Sequence, residues 1–244
     1  PDLVERIAYR ELNYGAVPDG GPLDPAVPFR EMATGDAEFV AEPYDLPGSL
    51  PGFGWPTVVV SGGRDLTTPP AIARRVAEDV PDDVSLFINI GTTTEAVARE
   101  LLDHTNLTVV TNNMNVANIL AANQNCEIIV SGGTLRRSDG GLVGDLTTQM
   151  IEQFKVDIAI IGASALDEEG DLLDFDLREV RVSKAIIRHA RKVFLVTDHS
   201  KFERSAPVRI ASIRELDAVY TDKAFSRELM SRCREWGTEV FVAG

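Results

Sequence analysis

From Thr57 onward, apolar residues fall in short β-branched runs separated by stretches of helical spacing. The runs are TVVVS at 57–61, SLFIN at 85–89, LTVVT at 107–111, EIIVS at 127–131, DIAIIG at 157–162, VFLVT at 193–197, AVYT at 218–221 and EVFV at 239–242. Helical patterns lie between them at 70–79, 93–103, 115–123, 145–154, 178–191 and 225–236. In the second of these, Ala96, Val97, Leu101 and Leu102 share one face and Glu95, Arg99 and Glu100 the other. Strands that are apolar throughout belong to parallel sheets covered on both sides. The pattern therefore predicts an α/β architecture, an open and mainly parallel sheet with helices on both faces. Ligands of such sheets sit beyond the C-terminal ends of the strands.

Residues 1–56 have another texture. Proline and glycine interleave in GAVPDGGPLDPAVPF and DLPGSLPGFGWP, and only PDLVERIAYRELNYG carries a helical period. Loops around one helix are expected there. The charge divides in the same way: residues 1–70 hold eleven acids and four bases, against a total of −14 for the 244 residues. So acidic a chain is a poor non-specific partner for nucleic acid or anionic lipid, both of which call for excess Lys and Arg. The two cysteines, Cys126 and Cys233, lie far apart without CxxC spacing, which suits reduced thiols and a cytoplasmic location. No apolar run reaches the roughly 18 residues of a membrane span, and no secretory leader pattern is present. A start at Pro1 rather than Met suggests a piece of a longer protein.

Four of the predicted strand ends carry polar or glycine signals. FINIGTTTEAVARELL passes from strand through Gly91, Thr92, Thr93 and Thr94 into a helix. Glycine permits close backbone approach, threonines donate hydrogen bonds and a helix start carries about half a positive charge, so a phosphate is the first candidate ligand. The others are Asn112, Asn113 and Asn115 after LTVVT, Gly132 and Gly133 after EIIVS, and Asp198, Ser200 and Lys201 after VFLVT. Asparagine and hydroxyl groups suit a polyol, and Lys201 offers a point charge for a phosphate. The same asparagines read equally as helix caps, the threonines as a capped turn and Lys201 as a solvated side chain. In LLDFDLREVRVSKAIIRHARK, a helix starting near Leu177 would take Asp176 as its cap, with Glu179 in the first turn. Asp174, Asp176 and Glu179 suit the orientation of hydroxyls; they also suit a helix start whose dipole favours acids. Glu179 and Lys184 are five apart and do not share a helix face.

FINIGTTTEAVARELL, NLTVVTNNMNVANIL, SGGTLRRSDGGLVG, FDLREVRVSKAII and VTDHSKF occur in this order, and the stretch from about 71 to 244 resembles the effector-binding domain of the DeoR family of bacterial transcription regulators, its glycerol-3-phosphate repressor branch in particular. The resemblance implies a ribose-phosphate isomerase-like fold that binds a phosphorylated sugar or polyol and thereby releases DNA. It carries the phosphate loop onto Gly91–Thr94, the asparagine pair onto Asn112 and Asn113, the glycine pair onto Gly132 and Gly133, the acid–lysine helix onto Glu179 with Lys184, and the lysine turn onto Lys201. A homo-oligomer is expected. Members of the family begin with a winged helix-turn-helix; residues 1–70 show no basic recognition helix, so DNA would be reached only through a unit absent from this chain.

PGFGWPTVVVSGGRDLTTPPAIARRVAE instead resembles an α/β-hydrolase segment of proline iminopeptidase type, with Asp65 as the triad acid. The chain thus divides into a truncated hydrolase-like segment at 1–70 and a sensor domain at 71–244, with a seam at 71–84. No GxSxG elbow exists, and none of His104, His189 or His199 follows Asp65 in a hydrolase-like context, so hydrolysis is not expected. The isomerase-like alternative would use Glu179 as a base. Neither a metal constellation nor a Walker A loop is present, and no cofactor is expected.

Overall fold

The computed structural model of the chain describes residues 70–243. The strand expected at 57–61, the loops around one helix and the hydrolase-like segment at 1–70 with Asp65 fall outside or at the edge of the described residues.

The described chain begins with helix α1 (Pro70–Asp79), followed by β1 (Ser85–Ile88), α2 (Thr92–Glu100), β2 (Leu107–Thr111), α3 (Met114–Leu120) and β3 (Cys126–Val130). A short hairpin, β4 (Thr134–Arg136) and β5 (Gly141–Val143), leads to α4 (Asp145–Ile151) and β6 (Val156–Ile161). Then come β7 (Ala165–Leu166), β8 (Asp171–Asp174), α5 (Leu177–Arg188), β9 (Ala190–Val196), β10 (Val208–Ser212), β11 (Ala218–Thr221), α6 (Arg227–Trp236) and β12 (Glu239–Val242), with 3-10 turns at His199–Glu203 and Ile213–Glu215. Seven strands form one parallel sheet in the order β12-β11-β9-β6-β1-β2-β3. This is the open, mainly parallel α/β sheet expected from the run pattern.

Burial on both faces explains why the runs are apolar without alternation. In β1, Leu86 and Ile88 join one core with Ile72 and Val76 of α1 and Val97 of α2. Phe87, between them, joins the opposite core with Val180 and Ile186 of α5. β6 divides likewise, Ile158 and Ile160 to the first core and Ala159 and Ile161 to the second. Successive side chains of a strand point to opposite faces, so one pleat feeds two cores. Each fully buried Leu, Ile or Phe contributes about 1.5–3 kcal/mol. Among the described residues, no helix is long and apolar enough to cross a membrane.

The sequence pattern does not reveal two small antiparallel units: the β4–β5 hairpin, and a three-stranded sheet in the order β10-β8-β7. Their strands have two to five residues, too few to display a period. Both stand beyond the C-terminal ends of the large sheet. The hairpin is seated by the Leu142 amide donating to the Asn112 carbonyl (2.7 Å) and the Met114 amide to the Gly140 carbonyl (3.0 Å), while β7 and β8 continue the chain from the end of β6.

Candidate functional site

β1 ends in a turn that its own side chains hold open. The Asn89 side chain is buried; its Nδ2 donates to Ser183 Oγ of α5 (2.9 Å) and its Oδ1 accepts from the Ile90 amide (2.8 Å). Gly91 caps α2 with φ 135° and ψ 150°, a conformation that side chains strongly disfavour. The first helical bond runs from the Glu95 amide to the Gly91 carbonyl (3.0 Å). Thr94 is fully buried, its Oγ1 donating within the turn to the carbonyls of Asn89 (2.7 Å) and Gly91 (2.8 Å). Its hydroxyl shapes the turn, which presents the positive end of α2 toward the space above the sheet.

That space is a cavity of about 140 Å³. One part of its wall is Ile90 with Gly91, Thr92, Thr93 and Thr94; others are Gly162, Ala163 and Ser164 after β6, and Val196 at the end of β9 with Lys201 beyond it. Arg136 and Asp139 of the hairpin, Asp174 at the end of β8 and Glu179 in the first turn of α5 complete it. Two cations and a helix start therefore share a small space with three carboxylates.

Arg136 organises those carboxylates. Its Nε donates to Asp139 Oδ1 (3.0 Å) and its Nη2 to Asp139 Oδ2; Nη2 also lies 2.5 Å from Glu179 Oε2, and Nη1 3.4 Å from Asp176 Oδ2. Asp174 is pinned separately, accepting from the amides of Phe175 (2.6 Å) and Asp176 (3.1 Å) and from Ser164 Oγ (2.8 Å). Burial and the neighbouring Asp174 charge raise the Glu179 carboxyl to about 7, against the pull of Arg136. Although burial weakens its charge, pairing with Asp139 and Glu179 leaves the Arg136 guanidinium more firmly protonated than usual. Both directions hold together because Arg136 divides one charge among several acids. Burial lowers the Lys201 ammonium, and Asp198 opposes that effect.

Of the residues expected at the site, Gly91, Thr92, Thr93, Thr94, Asp174, Glu179 and Lys201 meet in this wall. Asn112, Asn113, Gly132, Gly133, Asp176 and Lys184 lie outside it, and local structure accounts for five of these. Asn112 is fully buried and donates from Nδ2 to the Leu142 carbonyl (3.1 Å), holding the hairpin. Asn113 caps α3: its Oδ1 accepts from the amides of Asn115 (2.9 Å) and Val116 (3.4 Å), and its Nδ2 donates to Glu95 Oε1 (3.3 Å). The Gly132 carbonyl accepts from Thr147 Oγ1 (2.6 Å), and Gly133 packs so closely that a Cβ would stand 2.0 Å from that oxygen. Asp176 caps α5, accepting from the Arg178 amide (2.9 Å); burial pushes its carboxyl up, but the hydrogen bonds and charge of Arg178 outweigh this and hold it low. Lys184, farther along α5, is absent from the cavity wall, as the angular separation from Glu179 implies. Sequence reasoning missed Arg136 and Asp139. The basic pair in SGGTLRRSDGG was their one signal, and nothing local ties it to Glu179.

The histidines do not gather. His104 Nε2 meets the carbonyls of Ala77 (3.1 Å) and Val80 (3.0 Å), His189 Nδ1 meets the Ala185 carbonyl (2.9 Å), and His199 Nδ1 pairs with Asp222 Oδ2 (2.5 Å).

Residues 68–223 match the family described as the DeoR C terminal sensor domain. The chain belongs to this family. Among similar proteins, the glycerol-3-phosphate regulon repressor of Escherichia coli (strain K12) is 54% identical over 151 residues, 62% of this chain and 60% of that protein. Its namesake from Haemophilus influenzae (strain ATCC 51907 / DSM 11121 / KW20 / Rd) is 48% identical over 150 residues, 62% of this chain and 58% of that protein. The aligned part thus spans about 60% of the length of these relatives. Both are repressors by name rather than enzymes, and the DeoR family to which this chain belongs is one of sensors. A solved D-ribose-5-phosphate isomerase in complex with phospho-erythronic acid superimposes with a TM-score of 0.41 at 15% identity, over 55% of this chain and 52% of its own.

Proposed function

We propose that this DeoR sensor domain binds a small phosphorylated polyol such as glycerol-3-phosphate in the cavity between α2, Lys201 and α5, and reports its occupancy to a DNA-binding unit. The observation that carries the reading is the convergence of the α2 start and Lys201 on one space of about 140 Å³ that also holds Asp174 and Glu179. The Gly91–Thr94 turn and Lys201 suit a phosphate, through backbone donors at a helix start and a partly desolvated cation. Carboxyl oxygens accept hydrogen bonds whether or not the group is ionised, so Asp174 and Glu179 suit the hydroxyls. The name of the repressor relatives supports glycerol-3-phosphate as the first ligand to try. An occupied cavity shifts the population of assembled states only by its differential affinity for them.

The test is a thermal unfolding series on the 244-residue chain. At a hundred times its dissociation constant a ligand stabilises by about 2.7 kcal/mol, so glycerol-3-phosphate raises the melting temperature by several degrees while glycerol does not. Equal shifts from both, or none from either, contradict the phosphate assignment.

Three broader expectations go with this reading. The domain works in the cytoplasm as a homo-oligomer; the exposure of Leu146, Phe175 and Leu177 (68%, 61% and 53%) supports the assembly, and a monomeric mass in light scattering contradicts it. DNA is contacted through a helix-turn-helix that residues 1–70 do not resemble; retardation of operator DNA by this chain alone contradicts that. Residues 1–70 are hydrolase-like without a triad, and release of chromophore from a proline aryl-amide contradicts the lack of activity.

A further inference from the structure

Arg136 stands where the cavity, the hairpin and α5 meet, and its partners differ in how well they are solvated. The side chains of Asp139 and Asp176 are 36% and 24% exposed, whereas that of Glu179 is 12% exposed. Asp139 is held on the hairpin itself, three residues from Arg136, and receives two of its donors. Glu179 reaches Arg136 from α5 through a single contact. The poorly hydrated carboxylate therefore depends most on the guanidinium, and a second anion entering the cavity competes for the same cation.

We propose that Arg136 reads the phosphate of the ligand by exchanging partners: the guanidinium edge that Glu179 holds turns to the phosphate, Asp139 keeps the other edge, and Glu179 remains in the wall as a neutral acid. The inference rests on the phosphate reading given above. The groups around Glu179 are Arg136 of β4, Asp139 of the hairpin turn, Asp174 at the end of β8 and Lys201 across the cavity, with Asp176 at the α5 cap joined to them through Arg136. Three of the five are acids, so withdrawing Arg136 toward a dianion leaves Glu179 surrounded mainly by negative charge. The Glu179 carboxyl already lies at about 7 because burial and Asp174 outweigh Arg136; weakening the Arg136 contact moves it higher. The proton comes from solvent, and the neutral acid can donate a hydrogen bond to a ligand oxygen.

Proton uptake on binding measures this. Glycerol-3-phosphate is titrated calorimetrically into the 244-residue chain at pH 8 in two buffers of different ionisation enthalpy, with glycerol as control. The expected result is uptake of between about half a proton and one proton per phosphate ligand bound. Glu179→Gln should bind without uptake, and Arg136→Met should bind about tenfold or more weakly, having lost a charged hydrogen-bond donor. Binding by the wild type without proton uptake overturns the exchange while leaving the phosphate site standing, and needs no variant to fold. Uptake that persists in Glu179→Gln also overturns it, because the proton then sits on another group, such as the Lys201 amine that burial lowers. If the wild type binds no glycerol-3-phosphate, the phosphate reading fails and this inference fails with it.

Discussion

Replacing Glu179 by Gln tests whether the site carries electrostatic strain. The carboxyl is raised from its ordinary 4.5 to about 7 by burial and by Asp174, net of the attraction to Arg136. Folding thus increases the proton affinity of Glu179: its contribution is fully favourable below about 4.5 and is lost as the pH rises through about 7. At roughly 1.36 kcal/mol per pH unit the loss comes to about 3 kcal/mol. Gln keeps the shape and resembles the neutral acid, so Glu179→Gln is expected to be about 3 kcal/mol more stable than the wild type at pH 8 and no more than about 1 kcal/mol more stable at pH 5. Urea unfolding of both proteins from pH 5 to 8 gives the difference directly. A difference that does not change with pH, or a less stable variant at pH 8, would refute the reasoning. The first result would mean that Arg136 compensates the burial of Glu179, and the second that their pairing is a net source of stability.

Two further predictions separate binding residues from scaffold. Asn113→Ala removes the α3 cap and should cost about 1–2 kcal/mol in urea unfolding while glycerol-3-phosphate affinity is unchanged; a stable variant with lost affinity would return Asn113 to the ligand. Gly133 has φ +130° and would bring a Cβ to 2.0 Å from Thr147 Oγ1, whereas Gly132 has no atom within 4 Å of that position. Gly133→Ala should therefore lose about 2 kcal/mol or more and Gly132→Ala less than about 0.5 kcal/mol, and equal losses would contradict the tight packing of Gly133 on α4.

The frame was legible because its signals are local. β2, β11 and β12 lie where their runs were read, and α1 spans the expected 70–79. Asp176 caps a helix that begins at Leu177, as the acid before the apolar period implied. The Gly91–Thr94 turn was also readable, since a strand, a glycine and a helix start follow one another along the chain. The rest of the site depends on contacts that no local pattern encodes. Arg136 meets Asp176 and Glu179 because the hairpin and α5 are brought to one sheet edge by the topology, and β4, β5, β7 and β8 are too short to show a period. Asparagine is ambiguous for a physical reason: a side chain fit for binding a polyol is equally fit for capping a helix, and Asn113 caps α3.

A crystal structure of the chain with glycerol-3-phosphate tests the central claim most directly. The account predicts the phosphate against the amides of Thr92–Thr94, with Lys201 Nζ within hydrogen-bond reach and the hydroxyls toward Asp174 and Glu179. A phosphate bound elsewhere, or one in this cavity that Lys201 and the α2 start do not touch, would contradict it.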